Sequence, residues 1–166
     1  MIEEVVLVNE KDEAVGAMEK MAAHEQAILH RAFSVFIFNK NGDVLMQQRA
    51  HSKYHSGGLW TNTCCSHPRP GEDVLAAATR RLQEEMGFTT SLIKAFDFTY
   101  KAVFENGLTE HEFDHVIIGQ YDGLVDFNPN EVAAYAFMPA QELERQIQET
   151  PERFTAWFHI AYPKLK

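Results

Sequence analysis

The sequence predicts a single α+β domain with a mixed sheet and β-hairpins, and three observations carry that reading. The chain has 166 residues, which suits one compact domain and excludes two large ones. Two Asn-Gly dipeptides, Asn41-Gly42 and Asn106-Gly107, sit between β-rich runs, where a tight hairpin turn needs positive φ. One stretch, Asp73 to Met86, has helical spacing and both end signals. A chain of this size buries roughly 70% of its unfolded surface, so the core needs neither disulfides nor a structural metal.

The elements follow in order. Val5 to Val8 reads as a short strand, Asn9 to Glu13 as a polar turn, and a second extended piece comes next. Ala32 to Phe38 and Val44 to Gln48 flank the first hairpin turn. Ala50 to Gly58 has no periodicity and reads as a mobile polar loop before a strand from Trp60 to Cys65. Pro70-Gly71 breaks the chain ahead of the helix, Glu72 and Asp73 place negative charge at its positive end, and Gly87 stops it. Leu75, Ala78 and Leu82 make its core stripe, with Arg81 and Glu85 one turn apart on another face. Phe96, Phe98, Tyr100, Ala102 and Phe104 alternate at period two, and Thr109 to Tyr121 returns as the partner strand. Pro139 and Pro151 each mark a helix start, with Thr150 as cap for the second. No repeat or linker divides residues 1–166.

Composition narrows function. Lys and Arg total 15 against 24 Asp and Glu, for a net charge of −9. Binding to nucleic acid needs clustered positive charge, so no nucleic-acid partner is expected. No apolar run reaches the ~18 residues of a membrane span, and the start lacks a signal-peptide pattern. The expectation is a soluble, cytoplasmic monomer with no membrane partner. The two cysteines, Cys64 and Cys65, are adjacent and cannot form an ordinary disulfide, which implies free thiols in a reducing compartment.

Three constellations carry chemistry. Glu110 and Glu112 lie two apart on a strand, so both project from one face, either to solvent or into a site. With His24, His30 and His67 they would offer a divalent ion five ligands and leave one octahedral position open. Cys65-Ser66-His67-Pro68 ends a strand, where alternation sends the two thiols to opposite faces. A metal and imidazoles nearby would lower the pKa of the facing thiol; a buried cysteine acting as a small hydrophobe is the plain alternative. The third is the charged helix with Glu72, Arg80, Arg81, Glu84 and Glu85, which would also serve as an ordinary surface helix.

The string SHPRPGEDVLAAATRRLQEEMGF, Ser66 to Phe88, resembles the Nudix box. Glu72, Arg80, Leu82, Glu84, Glu85 and Gly87 match in register, while Ser66 replaces the opening Gly and Arg81 replaces a Glu. The second departure removes a carboxylate typical of diphosphate-cleaving members. Together with EKMAAH at Glu19 to His24, LHRAFSVFIFN at Leu29 to Asn39, QRAHSK at Gln48 to Lys53, WTNTCCSHP at Trp60 to Pro68 and TEHEFDHV at Thr109 to Val116, the pattern looks like the type 1 isopentenyl-diphosphate Δ-isomerase branch, from Leu7 to about Trp157. The resemblance implies a Nudix-type α/β/α sandwich with a mixed central sheet. It implies Mn2+, Zn2+ or Mg2+ held by His24, His30, His67, Glu110 and Glu112, and Glu85 serving a second, diphosphate-bound Mg2+.

The implied reaction shifts a double bond by adding one proton and removing another, through a tertiary cation, on a small-molecule diphosphate. It needs an acid, a base on the opposite side and a group that stabilises positive charge. The resemblance implies Glu112, assisted by Tyr100, as the acid and Cys65 as a thiolate base; the same residues allow the reverse assignment. Trp157 would offer its π face to the cation, worth about 2 kcal/mol in a desolvated site. Lys20, Arg49, Lys53 and Arg81 match the diphosphate-binding positions. His51, His55, His111 and His115 fall outside the expected site. The alternative class is a Nudix hydrolase of a diphosphate.

Overall fold

A computed structural model describes residues 2–165. Nine strands form one sheet among the described residues: β1 (Glu4–Val8), β2 (Ala14–Glu19), β3 (His30–Phe38), β4 (Val44–Arg49), β5 (Trp60–Thr61), β6 (Cys64–Ser66), β7 (Leu92–Val103), β8 (Thr109–Gln120) and β9 (Val132–Met138). The helices are α1 (Lys20–Glu25), α2 (Val74–Met86), α3 (Ala140–Glu149) and α4 (Ala156–Leu165).

The sheet is mixed, as expected. β3 runs parallel to β8 from His30↔Glu112 to Phe38↔Gln120, and antiparallel to β1 and β6. β7 and β8 form the long hairpin that Asn106-Gly107 signals, with Gly107 at φ 83°. β4 turns away after the first hairpin, touching β3 only at Phe38↔Val44 before pairing with β9.

Helices cover both faces, which gives the α/β/α sandwich. On one face Ala77, Ala78, Leu82 and Met86 of α2 pack on Phe33, Val35, Ile37 and Ile117. On the other, Leu143 of α3 and Trp157, Phe158, Ala161 and Tyr162 of α4 pack on Phe36, Met46, Phe98 and Val116. Each fully buried large side chain contributes roughly 1.5–3 kcal/mol, so these two layers outweigh the weak intrinsic preference of the short helices.

Helix α2 follows its end signals. Asp73 accepts a hydrogen bond from the Ala76 amide, and Gly87 closes the helix in the left-handed region at φ 77°. A Cβ at Gly87 would lie 2.2 Å from the Asp126 carbonyl oxygen, so glycine is required for space as well as for φ.

Several local expectations need correction. Leu75 is 37% exposed, and Ala77 takes its place in the buried stripe. The expected strand from Trp60 to Cys65 is broken at Asn62 and Thr63, whose side chains bond backbone carbonyls of β3, β4 and β6. Phe104 lies outside β7, which ends at Val103. Pro151 opens a single 3-10 turn, Pro151–Arg153, and α4 starts only at Ala156. Thr150 is no cap: its hydroxyl donates back to the Gln146 carbonyl. α1 was not anticipated from periodicity, because six residues are too few to show any.

Candidate active site

Three adjacent strands bring the site together in one row. Across the sheet Tyr100 of β7 pairs with Glu112 of β8, and Glu112 pairs with His30 of β3. Side chains at one register position share a face, so the phenol, the carboxylate and the imidazole converge by backbone geometry alone. Glu110, two residues before Glu112, joins the same face, and both carboxylates are buried.

His24 arrives from the last turn of α1. After it the chain reverses through Ala27, at φ 56°, which returns His30 to the start of β3 with the two rings 5.1 Å apart. His67 follows β6, and its Nε2 is 2.7 Å from Glu112 Oε2. Glu112 Oε2 is also 3.3 Å from His30 Nε2, and Glu110 Oε2 is 3.5 Å from His24 Nε2. Tyr100 hydroxyl donates to Glu112 Oε1 at 2.9 Å and to Glu110 Oε1. All five expected ligands are therefore brought together, in two groups that share His24: His30, His67 and Glu112 belong to one and Glu110 to the other.

His55 joins them, contrary to expectation. It is 5% exposed, its Nε2 is 2.7 Å from Glu110 Oε2, and it belongs with His24 and Glu110 to a group of convergent ligand atoms. The signal was weak because His55 sits in an aperiodic loop. Only its place five residues before Trp60, the start of β5, hinted at the site. His51, His111 and His115 stay outside: His51 is exposed, His111 Nδ1 meets the Ala27 carbonyl, and His115 pairs with Asp12.

The donor set fits a divalent cation. Nδ1 of His24 donates to the Lys20 carbonyl at 2.7 Å and Nδ1 of His30 to the Ile28 carbonyl at 2.9 Å. Each Nε2 is therefore left with a lone pair facing carboxylate oxygens, and both are buried without a hydrogen bond. The potential ligand atoms of His24, His30, His67 and Glu112 all lie within 4.8 Å of one another. Imidazole with carboxylate suits manganese, zinc or iron.

Charge is distributed unevenly. Burial works against ionising Glu112, and so does Glu110, yet the neighbouring His30 and His67 hold its pKa down at about 2. Burial likewise opposes ionisation of Glu110, but His24 and His55 beside it hold it well below the carboxylate range. His67 is lowered by burial. Tyr100 is pushed well above the usual phenol range by burial and by the two glutamates, so it stays a neutral donor.

Cys65 lines the same cavity as the two glutamates. Its Sγ donates to Asn62 Oδ1 at 3.2 Å and accepts from Trp157 Nε1 at 2.9 Å. Burial and then Asp114 push its pKa up to about 12, so in the free chain it is a thiol. The Arg49 guanidinium works in the opposite direction, and burial outweighs it. Trp157 carries the Arg49 guanidinium 5.3 Å from its ring centroid, so one face of the indole already holds a cation. A small cavity of about 30 Å³ is lined by Cys65, Trp157, Glu110, Glu112, His67 and Asp114, among others.

A second cavity of about 90 Å³ adjoins it through Cys65, Ser66 and His67, and Lys20, Arg49, Lys53 and Arg81 all line it. Glu3 neutralises Lys20 at 3.0 Å and Glu131 neutralises Lys53. Arg49 Nε and Arg81 Nε are buried without an acceptor. Glu85 stands apart from the His/Glu cluster: Arg81 Nη2 at 2.9 Å, Gln47 Nε2 at 3.1 Å and Cys64 Sγ at 3.4 Å occupy its oxygens. Cys64 is thus packed under α2, on the far side from Cys65.

Fold and site define a Nudix-domain protein: the NUDIX domain family matches residues 28–158. Among solved structures, a Deinococcus radiodurans protein superposes with a TM-score of 0.73 at 23% identity, covering 89% of this chain and 90% of that one. A MutT NUDIX hydrolase from Burkholderia pseudomallei does so with a TM-score of 0.65 at 18% identity, covering 83% and 98%. These likenesses concern the fold. At the level of sequence, the isopentenyl-diphosphate Delta-isomerase of Pectobacterium atrosepticum is 51% identical over 98% of this chain and 90% of its own length. The protein of the same name from Serratia proteamaculans is 51% identical over 95% and 88%. The chain belongs to the isopentenyl-diphosphate Delta-isomerase family.

Proposed function

We propose that this chain interconverts isopentenyl and dimethylallyl diphosphate. The observation that carries the reading is one cavity lined by Glu112, which Tyr100 holds, and by Cys65 and Trp157, next to a cavity lined by four bases. The reaction adds a proton at the terminal alkene carbon and removes one from the carbon on the other side of the double bond. One of Cys65 and Glu112 must therefore hold a proton while the other lacks one. The free chain has this asymmetry, with a thiol on Cys65 and a carboxylate on Glu112. In turnover the two exchange states, so the reverse reaction runs from the exchanged pair.

Tyr100 orients Glu112 through Oε1, leaving Oε2 to the imidazoles. Trp157 stabilises the tertiary cation with its π face and holds the Cys65 sulfur through its N–H. Lys20, Arg49, Lys53 and Arg81 bind the diphosphate, which displaces Glu3 and Glu131 from them. A divalent ion at the His/Glu cluster, when bound, supplies positive charge that keeps Glu110 and Glu112 in place. Glu85 presents a single carboxylate, the type of contact by which magnesium is held when substrate phosphates complete its shell, and Arg81 turns from it toward the diphosphate. Free adjacent thiols support a cytoplasmic setting, and we read the chain as a monomer. Among the described residues no helix is long and apolar enough to cross a membrane.

Incubation with isopentenyl diphosphate and a divalent ion in deuterated water tests the reading. Deuterium uptake with dimethylallyl product and no phosphate release is expected. Phosphate release without isomerisation would instead make the chain a diphosphate hydrolase.

A further inference from the structure

We infer that His55 is a ligand of the same metal centre, completing it as six protein donors: four imidazoles and two carboxylates. The inference rests on the reading of the His/Glu cluster as a metal centre and names a ligand that the sequence pattern did not supply.

The loop that carries His55 is built to aim it. Ser56 and Gly58 take positive φ of 54° and 80°, and a Cβ on Gly57 would sit 2.7 Å from the His51 carbonyl oxygen. The imidazole is stacked on Phe104 with centroids 4.4 Å apart and planes at 8°, and Tyr54 packs edge-on at 4.4 Å. Nδ1 lies 3.1 Å from Ser56 Oγ. Nε2 is thereby directed at Glu110 Oε2, 2.7 Å away, yet it is buried and makes no hydrogen bond of good geometry.

The same arrangement occurs at His24 and His30, whose Nε2 atoms are also buried without a hydrogen bond. A nitrogen lone pair opposite a carboxylate lone pair is repulsive unless a cation lies between them. His24, His30, His55 and His67 crowd together, with centroids of 5.0 to 5.9 Å for the contacting pairs. The convergent ligand atoms form two groups, His24, His30, His67 and Glu112 in one and His24, His55 and Glu110 in the other, and a divalent ion on the shared His24 Nε2 would draw on both.

Six protein donors fill an octahedral shell, so the open position expected for five ligands is taken. The ion then acts as a clamp on Glu110 and Glu112, and water and diphosphate are kept off it. Water-proton relaxation of the stoichiometric Mn2+ protein reads this directly and does not depend on turnover. Wild type should show no exchanging inner-sphere water. His55→Ala should gain one, with manganese affinity lowered by at least about tenfold. An exchanging water already present in wild type and unchanged in His55→Ala overturns the inference. Should the variant fail to fold or to hold manganese, the anomalous map of a manganese-loaded wild-type crystal decides: the ion bonded to His55 Nε2 supports the assignment, and the ring outside the coordination shell refutes it. Failure of the deuterium experiment would strike the proposed activity and leave this coordination result unaffected.

Discussion

Cys64 and Cys65 are chemically identical neighbours separated by one step of strand alternation. Cys64 packs under α2 against Glu85, whereas Cys65 faces the cavity and meets Trp157 and Asn62. Cys65→Ala should therefore abolish isomerisation while Cys64→Ala retains most of it, measured as initial rate at saturating substrate. Comparable rates in the two variants would remove Cys65 from the chemistry. The alternation was legible in the sequence. The protonation state was not, because burial depends on α4 closing over β6 from a distance of ninety residues in sequence, as in the Trp157–Cys65 contact (|i−j| = 92).

At the scale of elements, the glycines that end turns are unequal. Gly87 and Gly107 both have positive φ, at 77° and 83°, but a Cβ on Gly107 meets nothing within 4 Å while one on Gly87 collides with Asp126. Gly87→Ala should cost at least about 2 kcal/mol, and Gly107→Ala only about 1 kcal/mol of backbone strain. Urea midpoints at constant m-value check this ordering; equal losses would mean that the Asp126 loop yields freely. Helix α2 and both hairpins were readable because their signals are local: a cap, a stop and Asn-Gly. The break at Asn62 and Thr63, by contrast, is imposed by hydrogen bonds to neighbouring strands, which no local pattern encodes.

For the whole molecule, the site concentrates charge that the fold must hold. Glu110 and Glu112 have pKa values below the ordinary carboxylate value of 4.5, Glu112 at about 2. Between those pH values the unfolded chain binds more protons than the folded one, so folding stability is lost as pH falls. Metal-free protein should thus lose stability steadily from about pH 4.5 toward pH 2, read as a falling urea midpoint; a flat profile there would contradict the ion-paired site. The second expectation concerns the metal. A divalent ion at 100 times its dissociation constant stabilises the native state by about 2.7 kcal/mol, which raises Tm by roughly 5–10 °C for a chain of this size. Chelator should reverse the rise in differential scanning calorimetry, and no change on adding manganese or zinc would count against the centre.

The sequence by itself determined the α+β class, the hairpins, the capped box helix and the family, because these rest on short-range periodicity and on motifs with fixed spacing. It also marked the five candidate ligands His24, His30, His67, Glu110 and Glu112, through the resemblance and the two-residue spacing of the glutamates. Tertiary structure alone decided that His55 lies against Glu110, that Cys65 rests as a thiol in the free chain, and that Glu85 is bound by Arg81, Gln47 and Cys64. Each depends on desolvation and on contacts between distant strands, loops and helices, and those quantities have no expression in the order of residues until the sheet is assembled.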